Sequence, residues 1–203
     1  MILYLSIIIG AGIIIAIFNA LFAGFDISTL AVFGIVALAI IVSIALDGLA
    51  GIIVRLIPSK KFNPFCKYFG ERKNERKIYE RLKIRKWKDI IPEMGKTLKF
   101  FDKTKIGDKP TAQHIYMFLV ETCYAEVMHE FGLIFGMFLL VILPFKYLLT
   151  ISLPILIVNE FLQLLPIFVQ RYNRPKLAIA YKRLKRQEEA KQNIDEKGEN
   201  YKE

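Results

Sequence analysis

Two short stretches carry side-chain chemistry out of keeping with the apolar runs around them: ETCYAEVMH, from Glu121 to His129, and QRYNRP, from Gln170 to Pro175. On a helix Glu126 and His129, three residues apart, share a face that Glu121, Thr122 and the small Ala125 extend by a turn. A histidine held by a nearby carboxylate can take a proton from a hydroxyl near neutral pH, the step that acyl transfer to an alcohol requires. His129 is therefore the candidate general base and Glu126 its orienting partner, with Glu121 placed nearer the headgroups as a substrate contact. Cys123, six residues before His129, falls elsewhere on the helix circumference and reads as an ordinary thiol. In the second stretch Arg171 and Arg174 flank Tyr172 and Asn173. Guanidinium forks bind phosphate or carboxylate through paired hydrogen bonds, and an Asn amide can donate to a developing oxyanion. Plainer readings stand beside these: Glu126 and His129 as a structural hydrogen-bond pair to a neighbouring helix, and the two Arg as anchors on anionic lipid.

These residues need elements to position them, and hydropathy supplies those elements. A helix of about 20 mainly apolar residues crosses about 30 Å of hydrocarbon. Two such runs come first, Ile2 to Ala23 and Ile27 to Leu56, joined by a short turn at Gly24, Phe25 and Asp26 as a hairpin. Ile115 to Pro144 makes a third, with Glu121, Glu126, His129 and Glu130 in its first half, and Tyr147 to Val169 a fourth, with Asn159, Glu160 and Gln163 near its middle. The N-terminus lacks a basic region before its apolar run, so it reads as a retained membrane helix and not as a signal peptide.

Charge fixes an orientation. The net charge is +10, yet residues 1–54 contain neither Lys nor Arg, and the basic residues gather in 55–114 and after 170. Keeping both basic segments in the cytoplasm gives four crossings with both termini inside. Asp47, the polar face of the third helix and the QRYNRP end of the fourth then reach one depth. Ionisable groups at such a depth usually face a protein interior or a wet cavity. Between helices two and three, ERKNERKIYERLKIRKWKDIIPEM reads as one amphipathic helix with Ile78, Leu82 and Trp87 on its apolar side, lying on anionic headgroups or attracting an anionic acyl donor. The expected organisation is a hairpin over 1–57, a basic cytoplasmic loop over 58–114, helices carrying the polar motifs over 115–186, and a disordered tail over 187–203.

Several classes drop out. The basic charge is accounted for by the flanks of membrane helices, and no nucleic-acid-binding motif is present. Cys66 and Cys123 form no CxxC or Cys/His cluster, so neither a disulfide framework nor a metal site is expected. Asn159 and Glu160 would suit a transport path only in an oligomer.

Three blocks, IRKWKD with the following Ile91 and Pro92, ETCYAEVMH and QRYNRPKL, resemble the glycosyl-4,4'-diaponeurosporenoate acyltransferases, small bacterial membrane proteins, in order and spacing over about Phe69 to Arg186. The middle block resembles the family pattern E-T-x-x-A-E-x-x-H, with Glu121, Thr122, Ala125, Glu126 and His129 in place. The resemblance implies transfer of a fatty acyl group onto a sugar hydroxyl of a glycosylated lipid or carotenoid at the inner membrane face. The expectation is an all-α, four-helix integral membrane O-acyltransferase of the cell membrane. His129 and Glu126 are its catalytic residues, and Arg171, Asn173, Arg174, Glu121, Tyr172 and Trp87 its substrate contacts. Acyl-CoA or acyl carrier protein is the expected donor, with no permanently bound cofactor. The alternative is a non-enzymatic scaffold or channel-like partner, which should show Glu126 and Arg174 fully paired and no void beside them.

Overall fold

The computed structural model describes residues 2–91 and 111–200. Helix α1 (Ile2–Phe22) and helix α2 (Thr29–Arg55) form a hairpin, the short helices α3 (Glu75–Arg81) and α4 (Ile84–Trp87) follow, and then come α5 (Ala112–Gly136), the one-turn α6 (Leu139–Ile142) and the long α7 (Leu153–Asn200). There is no strand among the described residues. Four helical stretches are long and apolar enough to cross a membrane: Leu3–Phe22, Thr29–Arg55, Ala112–Ile142 and Phe145–Ile194. Residues 92–110, with Pro92 and the IGDKP stretch, and 201–203 at the chain end lie outside the described residues.

Local chemistry explains the boundaries. Gly24, at φ +61, takes the left-handed conformation that turns α1 into α2. Ser28 starts α2 by accepting from the Ala31 N–H at 3.2 Å, and Thr111 starts α5 by accepting from the His114 N–H at 3.3 Å. Pro166 lies inside α7 and cannot donate to the Leu162 carbonyl four residues earlier. The Tyr4 hydroxyl of α1 donates to that carbonyl instead, at 3.3 Å. Asn19 likewise donates to the Thr150 carbonyl at 2.8 Å, in the widened π-helical turn leading into α7. In hydrocarbon no water would satisfy these acceptors, so α1 supplies the donors.

Helices α5 and α7 run antiparallel in a steady register that sets Thr122 against Arg174, Glu126 against Arg171, Gly132 against Gln163 and Gly136 against Asn159. The two glycines let the α7 amides approach: a Cβ at Gly132 would lie 2.8 Å from Gln163 Cδ, and one at Gly136 2.8 Å from Asn159 Nδ2. The outer surfaces of α1 and α2 stay apolar, with Ile9, Ile14, Ile41 and Ile52 exposed as a lipid-facing helix requires.

Three sequence expectations change. The segment read as one amphipathic helix is broken at Lys83, whose φ is +52, and its two pieces turn the other face inward: Glu75, Tyr79 and Ile84 are buried while Ile78 and Leu82 are exposed. The ion pair described below is what draws Glu75 in. Second, α7 does not close at Pro175, because a proline removes one hydrogen bond and the remaining ladder carries the helix on. Third, the tail from 187 continues as helix to Asn200. Its Glu, Ala, Lys and Gln content favours helix, no residue from 187 to 194 is buried, and Lys185 and Glu189 pair at 3.8 Å along it.

Candidate active site

Glu126 has a fully buried side chain at the α5–α7 contact. Arg171 Nη1 donates to its Oε1 at 2.5 Å, and Arg174 Nη1 approaches Oε2 at 2.5 Å as an ion pair out of line for a hydrogen bond. Glu75 closes the group from α3, accepting from Arg171 Nε and from Nη2 at 3.2 Å. Two carboxylates and two guanidiniums thus neutralise each other in a buried quartet. The remaining Arg171 donors go to the carbonyls of Tyr68, at 3.4 Å, and Gly70, at 3.1 Å. All five N–H groups of Arg171 are therefore committed to protein. Arg174 donates to the Thr122 hydroxyl at 2.9 Å, the Thr122 carbonyl at 2.8 Å and the Phe69 carbonyl at 3.2 Å, with its guanidinium 5.1 Å from the Phe69 ring centroid. Carbonyls at 68, 69 and 70 read by two arginines dock the 59–91 segment onto α5 and α7. Phe62 and Phe69 complete the joint, Phe62 stacking on Tyr124 at 3.9 Å between ring centroids.

Outside the membrane spans, Glu75 shows how strong this docking is. Burial alone would raise its carboxyl, but Arg171, the Arg72 N–H at 2.7 Å and the Tyr79 hydroxyl bring it from 4.5 down to about 2. Burial and the Glu75 carboxylate push the Tyr79 hydroxyl above its usual range, so it stays a donor.

One turn from Glu126, His129 faces a second polar layer. Its Nδ1 lies 2.6 Å from Gln163 Oε1 on α7. Asp47 on α2 accepts from Asn159 Nδ2 at 3.4 Å. The bundle therefore carries an ionic layer and, deeper along α5, an imidazole, amide and carboxylate layer.

A cavity of about 350 Å³ opens beside the quartet. Glu126, Glu130 and Arg171 form its polar end, Ile78, Ile167 and Phe168 its apolar wall, and the exposed Arg72 and Lys73 its rim. Tyr68 donates to Glu130 at the same end. His129 is half-buried and does not line this cavity itself; Glu126, one turn before it, and Glu130, next to it, do. Among the described residues no group of His, Cys, Asp and Glu is arranged to hold a metal ion.

The expected site residues divide accordingly. Glu126, Arg171 and Arg174 come together, with His129 one turn away, so the common depth holds. Glu126 does not orient His129, because it is enclosed by the two arginines; Gln163 takes that position. Nor do the Arg171 and Arg174 forks lie open to a donor, since the protein occupies them. Asn173 is half-buried and outside the quartet. Tyr172 meets the Tyr79 ring edge-on at 6.2 Å between centroids and carries Lys176 Nζ at 3.8 Å over its face. Glu121 forms a two-pronged pair with Arg55, at 3.0 and 2.8 Å, on the wall of a separate cavity of about 430 Å³. Trp87 donates to the Leu82 carbonyl at 3.0 Å. The sequence reading missed Glu75, Tyr68 and the role of Gln163. Only the i,i+4 spacing of Glu75 and Tyr79 hinted at a paired inward face. Of the two outcomes expected for a scaffold, full pairing of Glu126 is present and the absence of a void is not.

The family model of the glycosyl-4,4'-diaponeurosporenoate acyltransferases matches residues 59–183, from the docked segment through both polar helices. The chain belongs to this family. It is accordingly an acyltransferase with four helices able to cross a membrane. The matched region contains every residue of the quartet, the cavity and the His129–Gln163 contact; Asp47 lies before it. No curated protein and no solved structure matches the chain.

Proposed function

We propose that this acyltransferase moves a fatty acyl group from an anionic thioester donor, acyl-CoA or acyl carrier protein, onto a hydroxyl of a glycosylated lipid or carotenoid at the cytoplasmic membrane face. The observation that carries this reading is the cavity with a carboxylate-rich end, an apolar wall and a cationic rim. Such a shape suits an amphiphile: sugar hydroxyls toward Glu130 and Tyr68, hydrocarbon along Ile167 and Phe168. With the arginine forks of the quartet occupied, the exposed cations Arg72 and Lys73 on the rim are the residues to meet donor phosphates. The basic residues of 59–88 and 176–186 support a cytoplasmic rim, with both termini on the same side.

In the reaction His129 Nε2 takes the proton of the acceptor hydroxyl. The oxygen attacks the thioester carbonyl carbon, a C–O bond forms, and the oxyanion collapses with breakage of the C–S bond. The proton returns to the departing thiolate, leaving an ester and a free thiol. The buried quartet takes no proton; it holds α3, α5 and α7 so that the cavity keeps its shape.

The test is lipid analysis of cells, and of purified protein in nanodiscs, supplied with glycolipid and acyl-CoA. His129→Ala should lower transfer by about 10²- to 10⁴-fold, the usual range for a general base. Transfer that survives His129→Ala but is lost in Glu130→Gln would move the base to Glu130. Absence of any acylated product from the wild-type protein would sink the acceptor assignment.

A further inference from the structure

The polar layer beneath the quartet is expensive where it stands: Asp47, Asn159, Gln163 and His129 bring a carboxylate, two amides and an imidazole between helices whose outer faces are apolar. Its connections have a direction. A carboxylate only accepts, so the contact of Asp47 with Asn159 is made by the Asn159 amide nitrogen. Gln163, one turn along α7 from Asn159, presents its carbonyl oxygen to His129 Nδ1 at 2.6 Å. A carbonyl oxygen also only accepts, so the ring proton must sit on Nδ1. The lone pair is then on Nε2, the atom that would act as the base.

We infer that Gln163 is the positioning residue that sets the tautomer of His129. The inference rests on the reading of His129 as the base and names what holds it. Asn159, four residues before Gln163 on α7, fixes the Asp47 carboxylate from the same helix. Gly132 makes room for the arrangement, since a Cβ there would lie 2.9 Å from Gln163 Nε2 and 3.0 Å from Oε1. An amide facing the imidazole gives direction without setting a full negative charge against the ring. The polar layer also joins the N-terminal hairpin, which lies outside the family match, to the matched helices: Asp47 of α2 takes Asn159 of α7, four residues before the Gln163 that meets His129 of α5.

Only two histidines are present, His114 and His129, so the tautomer can be read directly. Full-length protein labelled with ¹⁵N-histidine is reconstituted in nanodiscs at about pH 8.5, where an unperturbed imidazole is neutral, and His114→Asn assigns the remaining ring. The wild-type His129 should show a protonated Nδ1 and an unprotonated Nε2. Gln163→Leu should mix or invert that pattern and lower kcat about 10- to 100-fold, the range for lost partners behind a catalytic group, with KM for the donor changed less than about twofold. Gln163→Glu keeps an accepting oxygen and should retain the wild-type pattern, which separates loss of the hydrogen bond from damage to folding. A wild-type ring protonated at Nε2, or a Gln163→Leu protein with unchanged tautomer and kcat, overturns the inference. Failure of the acyltransfer reading appears elsewhere, as an absence of product from a wild-type protein whose ring is still protonated at Nδ1.

Discussion

At the end of the bundle where α1 turns into α2, Ile15, Ala16, Val36 and Ala39 pack against Leu139, Tyr147, Ile151 and Ile155. At the other end the helices are joined by Glu126, Arg171, Arg174 and Glu75, with aromatic rings around them. Lipid tails are as apolar as leucine, so the first end has no hydrophobic drive toward association in a membrane and depends on close packing. The second end depends on charges that have nowhere else to go. A bundle built this way tolerates small losses at its apolar end and fails abruptly at its ionic end.

The largest expected effect breaks the ionic end. Glu126→Leu leaves Arg171 with Glu75 as its one carboxylate partner and takes from Arg174 the carboxylate it pairs with, and should cost about 3 to 5 kcal/mol, the range for removing one partner of a buried pair. Thermal unfolding in detergent measures it; a loss below about 1 kcal/mol would mean that the two ends do not differ. A smaller effect tests how the docked segment hangs on that end. Because folding lowers the Glu75 carboxyl from 4.5 to about 2, its contribution is complete above the ordinary value and is lost as the pH falls toward the folded one. Acid should therefore release α3 and α4 between those values, with the emission of Trp87, the chain's one tryptophan, as reporter. Glu75→Gln should remove the transition and cost on the order of 2 kcal/mol; an unchanged acid transition in that variant would assign it to another group. The smallest effect concerns packing next to the apolar cluster. Gly136→Ala sets a methyl 2.8 Å from Asn159 Nδ2 and from Glu160 Oε1 and should cost about 1 kcal/mol, whereas Gly34→Ala, with open space around it, should be neutral. Equal behaviour of the two would show that close approach of α5 and α7 is unimportant.

The contrast between the two ends also explains what could be read from the sequence. Four spans, their approximate limits and the meeting of Glu126, Arg171 and Arg174 follow from hydropathy and topology, because an apolar run has few ways to satisfy its backbone in lipid and charged residues few places to sit. Partner choice within the polar layer was less legible. Glu126 and His129 share a helix face, but spacing on one helix does not say which residue of the opposing helix each will meet; the α5–α7 register decides that, and it gives Glu126 to the arginines and His129 to Gln163. Glu75 was hidden for a different reason. In a basic loop beside Glu71 and Glu80, nothing local marks it as the acid that will be drawn inward, and the apolar Ile78 and Leu82 suggested the opposite face. The helical tail was misread because a segment without a core face can still be a solvated helix.

The contacts that α1 makes with α7 address main-chain oxygens: Tyr4 the one freed by Pro166, Asn19 the one at Thr150. A clasp of this kind is blind to the identity of the residues it grips. The side chain of Thr150 takes no part in the grip, whereas Tyr4 and Pro166 act as a pair, the proline freeing the oxygen that the tyrosine takes. The hairpin is thus exchangeable in most of its letters and fixed in a few, and two separately expressed fragments, one ending after α2 and one beginning before α3, have the means to find each other in a bilayer.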